Sequence, residues 1–495
     1  MRLLLRNVRI IGSGKNEKPV DIFIVDGVIK SIAEGIKDEC DRVLDVEGAC
    51  VSPGWFDLRA NFRDPGDEHK ETISSGLAAA AKGGFTDVLL MPSTMPPIQA
   101  KTDIEYVKSK AQGRLVTAHP AGCLSQGREG KDITEMFDMK TAGALAFTDD
   151  KRPVADSGLM LRALQYATNV GSLVMTYSDD SGISGKGLVN EGIPATESGL
   201  RSSPAFAEEL MVSRDLEICR YADARLHFGT LSTKGSIDRI REAKKQGLKV
   251  TADVCIHQLY FDDSVITGYD TNYKVKPPLR SMNDVAALKL ALADGTIDAV
   301  CSDHSPQDEE TKMVEFDFAS YGIAGIETTF SALRTSCPDL PVVRLVEVLG
   351  NGPRRCGPDY NACAIKTRLW RETHPDHVAG VVVILHLRLG QRGLLDRRPH
   401  HRLGAAIELA AFRELQKLRN NRRLGLEIHR QIGIVPIGID AQPLQLFALR
   451  VDPMLRISAA FGAELNGGNL VLVELFLAIL LFDLPLDGQA VAIPT

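Results

Sequence analysis

Long apolar runs are missing from this 495-residue chain. The longest, Leu470 to Phe482, is 13 residues and contains Glu474. A membrane-spanning helix needs about 20 apolar residues, so no membrane association is expected. An excess of positive charge is also missing. Lys and Arg number 58 against 64 Asp and Glu, a net of −6, which argues against a nucleic-acid partner. The nine cysteines form no CxxC pair, and an odd, scattered set fits a reduced cytosolic protein better than a disulfide scaffold. Met1-Arg2-Leu3 leads straight into a strand-like pattern, so no secretory leader is expected and the expected location is the cytoplasm. Histidine is scarce before residue 360: His69, His119, His227, His257 and His304, with no HxH or HxxxH pair.

What is present is a globular composition, 44% hydrophobic and 25% charged, with length for several domains and a large core. Its charge is unevenly spread. Residues 1–360 carry 42 basic and 52 acidic side chains, with Lys and Arg equal at 21 each. Residues 361–495 carry 16 basic and 12 acidic ones, and of the basic ones 14 are Arg and only Lys366 and Lys417 are Lys. The two parts have different sequence statistics.

Residues 1–52 alternate apolar and polar positions, and Asp26-Gly27 between two such runs is a hairpin signal. A small antiparallel sheet is predicted there. From residue 53 short apolar runs alternate with helical stretches. The runs are Trp55–Arg59, Val88–Met91, Leu115–Ala118, Leu145–Thr148, Leu173–Tyr177, Leu226–Gly229, Val250–Val254 and Ala299–Asp303. Eight βα units over this length predict a (β/α)8 barrel; a doubly wound sheet is the alternative, disfavoured by the lack of a GxGxxG turn.

Reactive groups of such barrels lie at the carboxyl ends of the strands. The ends of these runs carry Asp57, Arg59, Asn61 and Arg63; Ser93; His119; Asp149-Asp150; Tyr177 with Asp179; Thr230; His257; and Asp303-His304. So many polar groups on one rim predict a site, although each alone is ordinary loop chemistry.

Several ordered motifs resemble one family. They are Pro53-Gly54-Trp55-Phe56-Asp57 with Arg63-Asp64-Pro65-Gly66, Met91-Pro92-Ser93-Thr94-Met95-Pro96, Ala146-Phe147-Thr148-Asp149-Asp150 and Asn190-Glu191-Gly192. Lys274–Arg280, Ser302-Asp303-His304-Ser305-Pro306 and Gly322–Thr328 continue the series. Over residues 1 to about 355 the chain is similar to dihydroorotases of the amidohydrolase superfamily. The resemblance implies an α/β fold: a (β/α)8 TIM barrel with a small β-sandwich. It implies interconversion of N-carbamoyl-L-aspartate and dihydroorotate at a zinc centre, in pyrimidine biosynthesis.

The departures are as specific as the match. The family's two first-strand histidine ligands fall at Arg59 and Asn61, its fifth-strand ligand at Tyr177 and its sixth-strand ligand at Thr230. All four imidazoles are replaced. The carboxylates persist, as Asp149 or Asp150 at the bridging position and Asp303 at the position of the catalytic base. The substrate-binding asparagines fall at Ser93 and Lys276, and the arginine that holds the substrate carboxylate persists as Arg63. Zinc lowers the pKa of bound water from about 15.7 to about 7, so a site without it lacks its nucleophile. Arg59 is a permanent cation with no lone pair. It is therefore expected to replace the metal's charge beside Asp150 and Asp303, and no metal is expected.

The likeness stops at Cys356. The expected domains are a β-sandwich part at 1–52, the barrel at 53–355 and an atypical tail at 356–495, frame-shifted or spurious, with a genuine added domain for a partner as the competing reading. No tail strand completing the β-sandwich is evident, and Leu403–Leu424 is the tail's helix candidate. The resemblance implies a non-catalytic homologue and homo-oligomer that serves as scaffold or partner of aspartate carbamoyltransferase. The alternatives are an active dihydroorotase and a small-molecule binder of the same metabolites.

Overall fold

The computed structural model describes residues 2–11, 18–46 and 48–357, with the backbone alone of 381–384, 435–436 and 447–448. The chain divides into two compact units, Met1–Gly393 and Leu394–Thr495. In the second, Val435–Pro436 and Phe447–Ala448 form an antiparallel pair. The other tail expectations, including the Leu403–Leu424 helix and the Leu470–Phe482 run, lie outside the described residues.

In the first unit, β1 (Arg2–Ile10), β2 (Val20–Val25), β3 (Val28–Ala33), β4 (Arg42–Asp45) and β5 (Cys50–Pro53) form a sheet. Asp26 and Gly27, both at positive φ, turn β2 into β3. The predicted antiparallel character holds for β1–β2 and β2–β3 only. β4 and β5 both pair with β1 in parallel, so the sheet is mixed. Alternation decides its core: Leu3, Leu5, Ile22 and Ile24 pack on one face, Leu4 and Phe23 on the other. A tail strand does join this sheet. Val381–Ile384 pairs antiparallel with β5, from Val381 opposite Pro53 to Ile384 opposite Cys50. The expectation that the tail supplies no strand is corrected here; the run is β-branched throughout, which suits a strand.

The eight predicted barrel strands are all present. They are β6 (Trp55–Ala60), β7 (Phe85–Leu90), β8 (Thr117–Gly122), β9 (Ala146–Phe147) and β10 (Leu173–Tyr177). After a two-stranded ribbon, β11 (Val189–Asn190) and β12 (Ser202–Ser203), come β13 (Leu226–Gly229), β14 (Val250–Cys255) and β15 (Ala299–Cys301). They pair in parallel in chain order. A parallel bridge between Ala60 and His304, with Asn61 N–H donating to the His304 carbonyl at 2.8 Å, closes β15 onto β6. The predicted helices follow their strands, over Ile73–Lys82, Ser157–Asn169, Ala205–Ala222, Lys234–Lys245 and Met282–Asp294. Side chains of Thr72, Asp156, Thr233 and Ser281 cap four of them, each accepting an N–H of the first turn.

Two apolar layers result. Phe56, Leu58, Leu89, Met91, Met175 and Cys255 fill the barrel interior. A larger layer packs helices against strands, with Trp55 stacked on Phe330 at 4.8 Å. The polar side chains of the mouth lie where the strands end. Among the described residues no helix is long and apolar enough to cross a membrane.

Candidate functional site

Arg59 is the penultimate residue of β6 and is 1% exposed. Its Nη1 donates to Asp150 Oδ1 at 2.6 Å, while Nε and Nη2 have no hydrogen-bond partner. Burial alone would lower the guanidinium's pKa; Asp150, Asp253 and Asp303 overcome it and hold the pKa above the ordinary value. Gly229, at the end of β13, makes room for it. A β-carbon there would lie 2.3 Å from Arg59 Nη2.

Asp150 is held below the usual carboxylate range. Burial opposes this, and Arg59, Lys151 and Arg128 outweigh burial. Its second oxygen accepts from Ser93 Oγ, which in turn accepts from Asn61 Nδ2 at 2.7 Å. Asp149 faces away and caps the next turn, accepting from Leu124 N–H at 3.0 Å, Ser125 N–H at 2.9 Å and Ser125 Oγ. The choice left open between the two aspartates therefore falls on Asp150.

Asn61 also accepts the Arg63 N–H at 2.8 Å. Arg63 has a positive φ of 63° and spends part of its guanidinium on the chain itself, with Nε to Pro306 O at 3.0 Å and Nη2 to Ser305 Oγ. Thr230 donates its N–H to Asp253 at 2.6 Å, and Asp253 also meets His227 Nε2 at 2.9 Å. The Tyr177 ring is buried between two ammonium groups, Lys151 at 5.7 Å and Lys276 at 5.3 Å from its centroid. Lys276 Nζ lies 3.4 Å from Asp179. Tyr177, Asp179 and Lys276, with Arg280 and Tyr321, line a cleft at the mouth.

Asp303 Oδ1 pairs with Lys151 Nζ at 2.8 Å, and its Oδ2 faces His257 Nε2 at 3.9 Å, too far for a hydrogen bond. His257 is 3% exposed, and among the described residues neither ring nitrogen has a hydrogen-bond partner. Burial pushes its pKa down to about 4. Cys255, His257 and Asp303 bring one sulfur, one nitrogen and one oxygen within 4.8 Å of one another. A search for paired histidines misses this set. The signal was Cys255-x-His257 at a strand end, which needed Asp303 from the next strand to become a cluster.

His119 is corrected. β8 runs on to Gly122, so His119 lies within the strand, where Nε2 meets Asp87 at 2.9 Å and Arg354 reaches the same carboxylate at 2.9 Å. His304 is a loop residue that joins Glu71 at 2.8 Å and accepts the Gly325 N–H at 3.2 Å.

The sequence model of the family described as dihydro-orotase-like matches residues 48–236. A dihydroorotase of Thermoanaerobacter sp. (strain X514) is 42% identical over 336 residues, which span 68% of this chain and 78% of that one. The dihydroorotase of Pelotomaculum thermopropionicum is 43% identical over 337 residues, spanning 68% and 79%.

The chain belongs to the dihydroorotase family.

Solved structures add the fold. The L-hydantoinase of Arthrobacter aurescens superposes with a TM-score of 0.66 at 23% identity, over 77% of this chain and 86% of that one. The barrel fold is thus shared with that hydantoinase. Within this dihydroorotase-family barrel, the residues at the four replaced positions do not fit a zinc ion. Arg59 offers only donors and is bonded to the very carboxylate a metal would bridge. Asn61 is turned to Ser93 and Arg63, and Tyr177 is packed between cations. Three lone-pair donors with an open position do not assemble there.

Proposed function

We propose that this dihydroorotase-family chain is a non-catalytic member in pyrimidine biosynthesis that serves as scaffold or partner for aspartate carbamoyltransferase. One observation carries the reading: the Arg59 guanidinium lies bonded to Asp150, where the resemblance places a dication. Hydrolysis of a cyclic amide needs a water activated near neutral pH, and a metal supplies it in such sites. Arg59 neutralises Asp150 but activates nothing, because a guanidinium has no lone pair with which to accept a proton from water. Asp303, at the position of the family's base, has one carboxylate oxygen paired with Lys151. Arg63 keeps an anion-binding position at the mouth, but part of its fork is bonded to Ser305 and Pro306. The scaffold role rests on the retained barrel beside the lost site.

The test is dihydroorotate hydrolysis by the purified full chain with added zinc, beside the Thermoanaerobacter enzyme. No turnover from folded protein is expected, with aspartate carbamoyltransferase co-purifying. Turnover that tracks the protein peak and survives a chelator wash would overturn the non-catalytic reading. A folded, inactive chain that binds dihydroorotate but no transcarbamoylase would replace the scaffold by a metabolite binder.

A further inference from the structure

We propose that Cys255, His257 and Asp303 form a binding site for a borderline divalent cation of the zinc class, displaced from the position where Arg59 sits. The site is built from the ends of two neighbouring strands. Cys255 closes β14, His257 follows it by two residues, and Asp303 follows β15 by two. Their donor atoms lie within 4.8 Å of one another, and all three residues are buried. His257 points to a ligand. It is 3% exposed, and among the described residues both its nitrogens lack a hydrogen-bond partner. A buried polar group without a hydrogen bond is destabilising, and a cation would satisfy one lone pair directly.

The distances suit a metal better than a hydrogen bond. His257 Nε2 and Asp303 Oδ2 are 3.9 Å apart. Zinc bonds nitrogen and carboxylate oxygen at about 2.0–2.2 Å, so one ion reaches both atoms. Asp303 already divides its oxygens, with Oδ1 on Lys151 at 2.8 Å and Oδ2 toward His257. Lys151 therefore acts as an outer partner that aims the free oxygen inward, as outer-shell groups do around metal carboxylates. One thiolate, one imidazole and one carboxylate favour zinc or cobalt over magnesium or calcium, which prefer all-oxygen cages. Binding takes the Cys255 Sγ proton, which leaves to buffer. Cys301 Sγ lies 3.8 Å from Cys255 Sγ, so the thiols are kept reduced in any test.

The inference concerns cation retention and is separate from the non-catalytic role, which is read by turnover. The experiment is titration of the full, chelator-stripped chain with Co2+ under a phosphine reductant. The folded wild-type chain is expected to develop thiolate-to-cobalt charge-transfer absorption, lost on adding Zn2+. Cys255→Ser is expected to lose that absorption and to weaken cobalt binding by about tenfold or more. His257→Gln is expected to weaken binding with the absorption shifted. Circular dichroism establishes that each variant is folded. If the folded wild-type chain gives no such absorption, the site does not exist. An undiminished band in Cys255→Ser would place the thiolate elsewhere and overturn the assignment equally.

Discussion

On the side of the barrel mouth built by β6 and β9, the chain's own groups bond directly to one another. Arg59 meets Asp150, Ser93 meets Asp150, and Asn61 meets Ser93 and Arg63. On the side built by β14 and β15, the donor atoms of Cys255, His257 and Asp303 lie within 4.8 Å of one another, yet among the described residues neither ring nitrogen of His257 has a hydrogen-bond partner. The first side carries its cation covalently attached, on a side chain. The second offers lone pairs to a cation from outside. One scaffold can thus lose a metal position at one set of strand ends and retain donor capacity at the next, because each strand end is decided by its own few residues.

The largest break in this comparison comes from Arg59→Ala. The substitution leaves Asp150, Asp253 and Asp303 without the cation that all three face. Removing one partner of a buried ion pair costs about 3–5 kcal/mol. The melting temperature should fall far more than for Arg220→Ala, whose partner Glu217 is an exposed neighbour on the same helix. Equal falls in the two variants would mean that Arg59 does not hold the carboxylates.

A smaller effect sharpens the same point from across the barrel. A methyl group at Gly229 would lie 2.3 Å from Arg59 Nη2. Gly229→Ala should therefore push the guanidinium off its position and cost about 1–3 kcal/mol, as overpacking does. In the Arg59→Ala background the same change should cost almost nothing. A double-mutant cycle measures the difference as a coupling energy. Additive effects would place the Gly229 cost in the backbone.

The strands were legible from composition, since each barrel strand is a short apolar run and the hairpin at Asp26-Gly27 names its own turn. The mouth was legible only in part. Arg59 and Asp150 could be paired in advance because opposite charges were left at positions where the resemblance implies a shared metal. Asp149 and Asp150 could not be told apart, because adjacent identical residues beyond a strand obey no periodicity; only the N–H groups of Leu124 and Ser125 decide it. His119 was misplaced because β8 runs four residues beyond Ala118, to Gly122. Cys255, His257 and Asp303 were invisible as a set for a different reason. A motif search rewards donors close in sequence, whereas parallel strands bring Asp303 alongside through a helix and a loop. The strand joining β5 from Val381–Ile384 was missed because the search was for the family's motif rather than for a β-branched run.

The smallest effect separates closing the barrel from filling its mouth. Asp57 sits on β6, two residues before Arg59, but turns to β15, accepting from Ser302 N–H at 2.9 Å and from Ser302 Oγ. It is fully buried. Burial raises its pKa from 3.8 to about 6, against the opposing Ser302 hydrogen bonds. Between those values the folded chain binds more protons at Asp57 than the unfolded chain does. Its contribution to stability is therefore fully present below about pH 4 and declines as pH rises through 6, by roughly 3 kcal/mol at most. Asp57→Asn removes the titration. The melting temperature of the wild-type chain minus that of the variant should fall between pH 4 and pH 7 and then level off. Because Asp150 and Asp253 titrate in both proteins, their acid losses cancel in the difference. A difference that stays constant across this window would mean that Asp57 is ionised throughout, and that Ser302 rather than burial governs the seam where β15 meets β6.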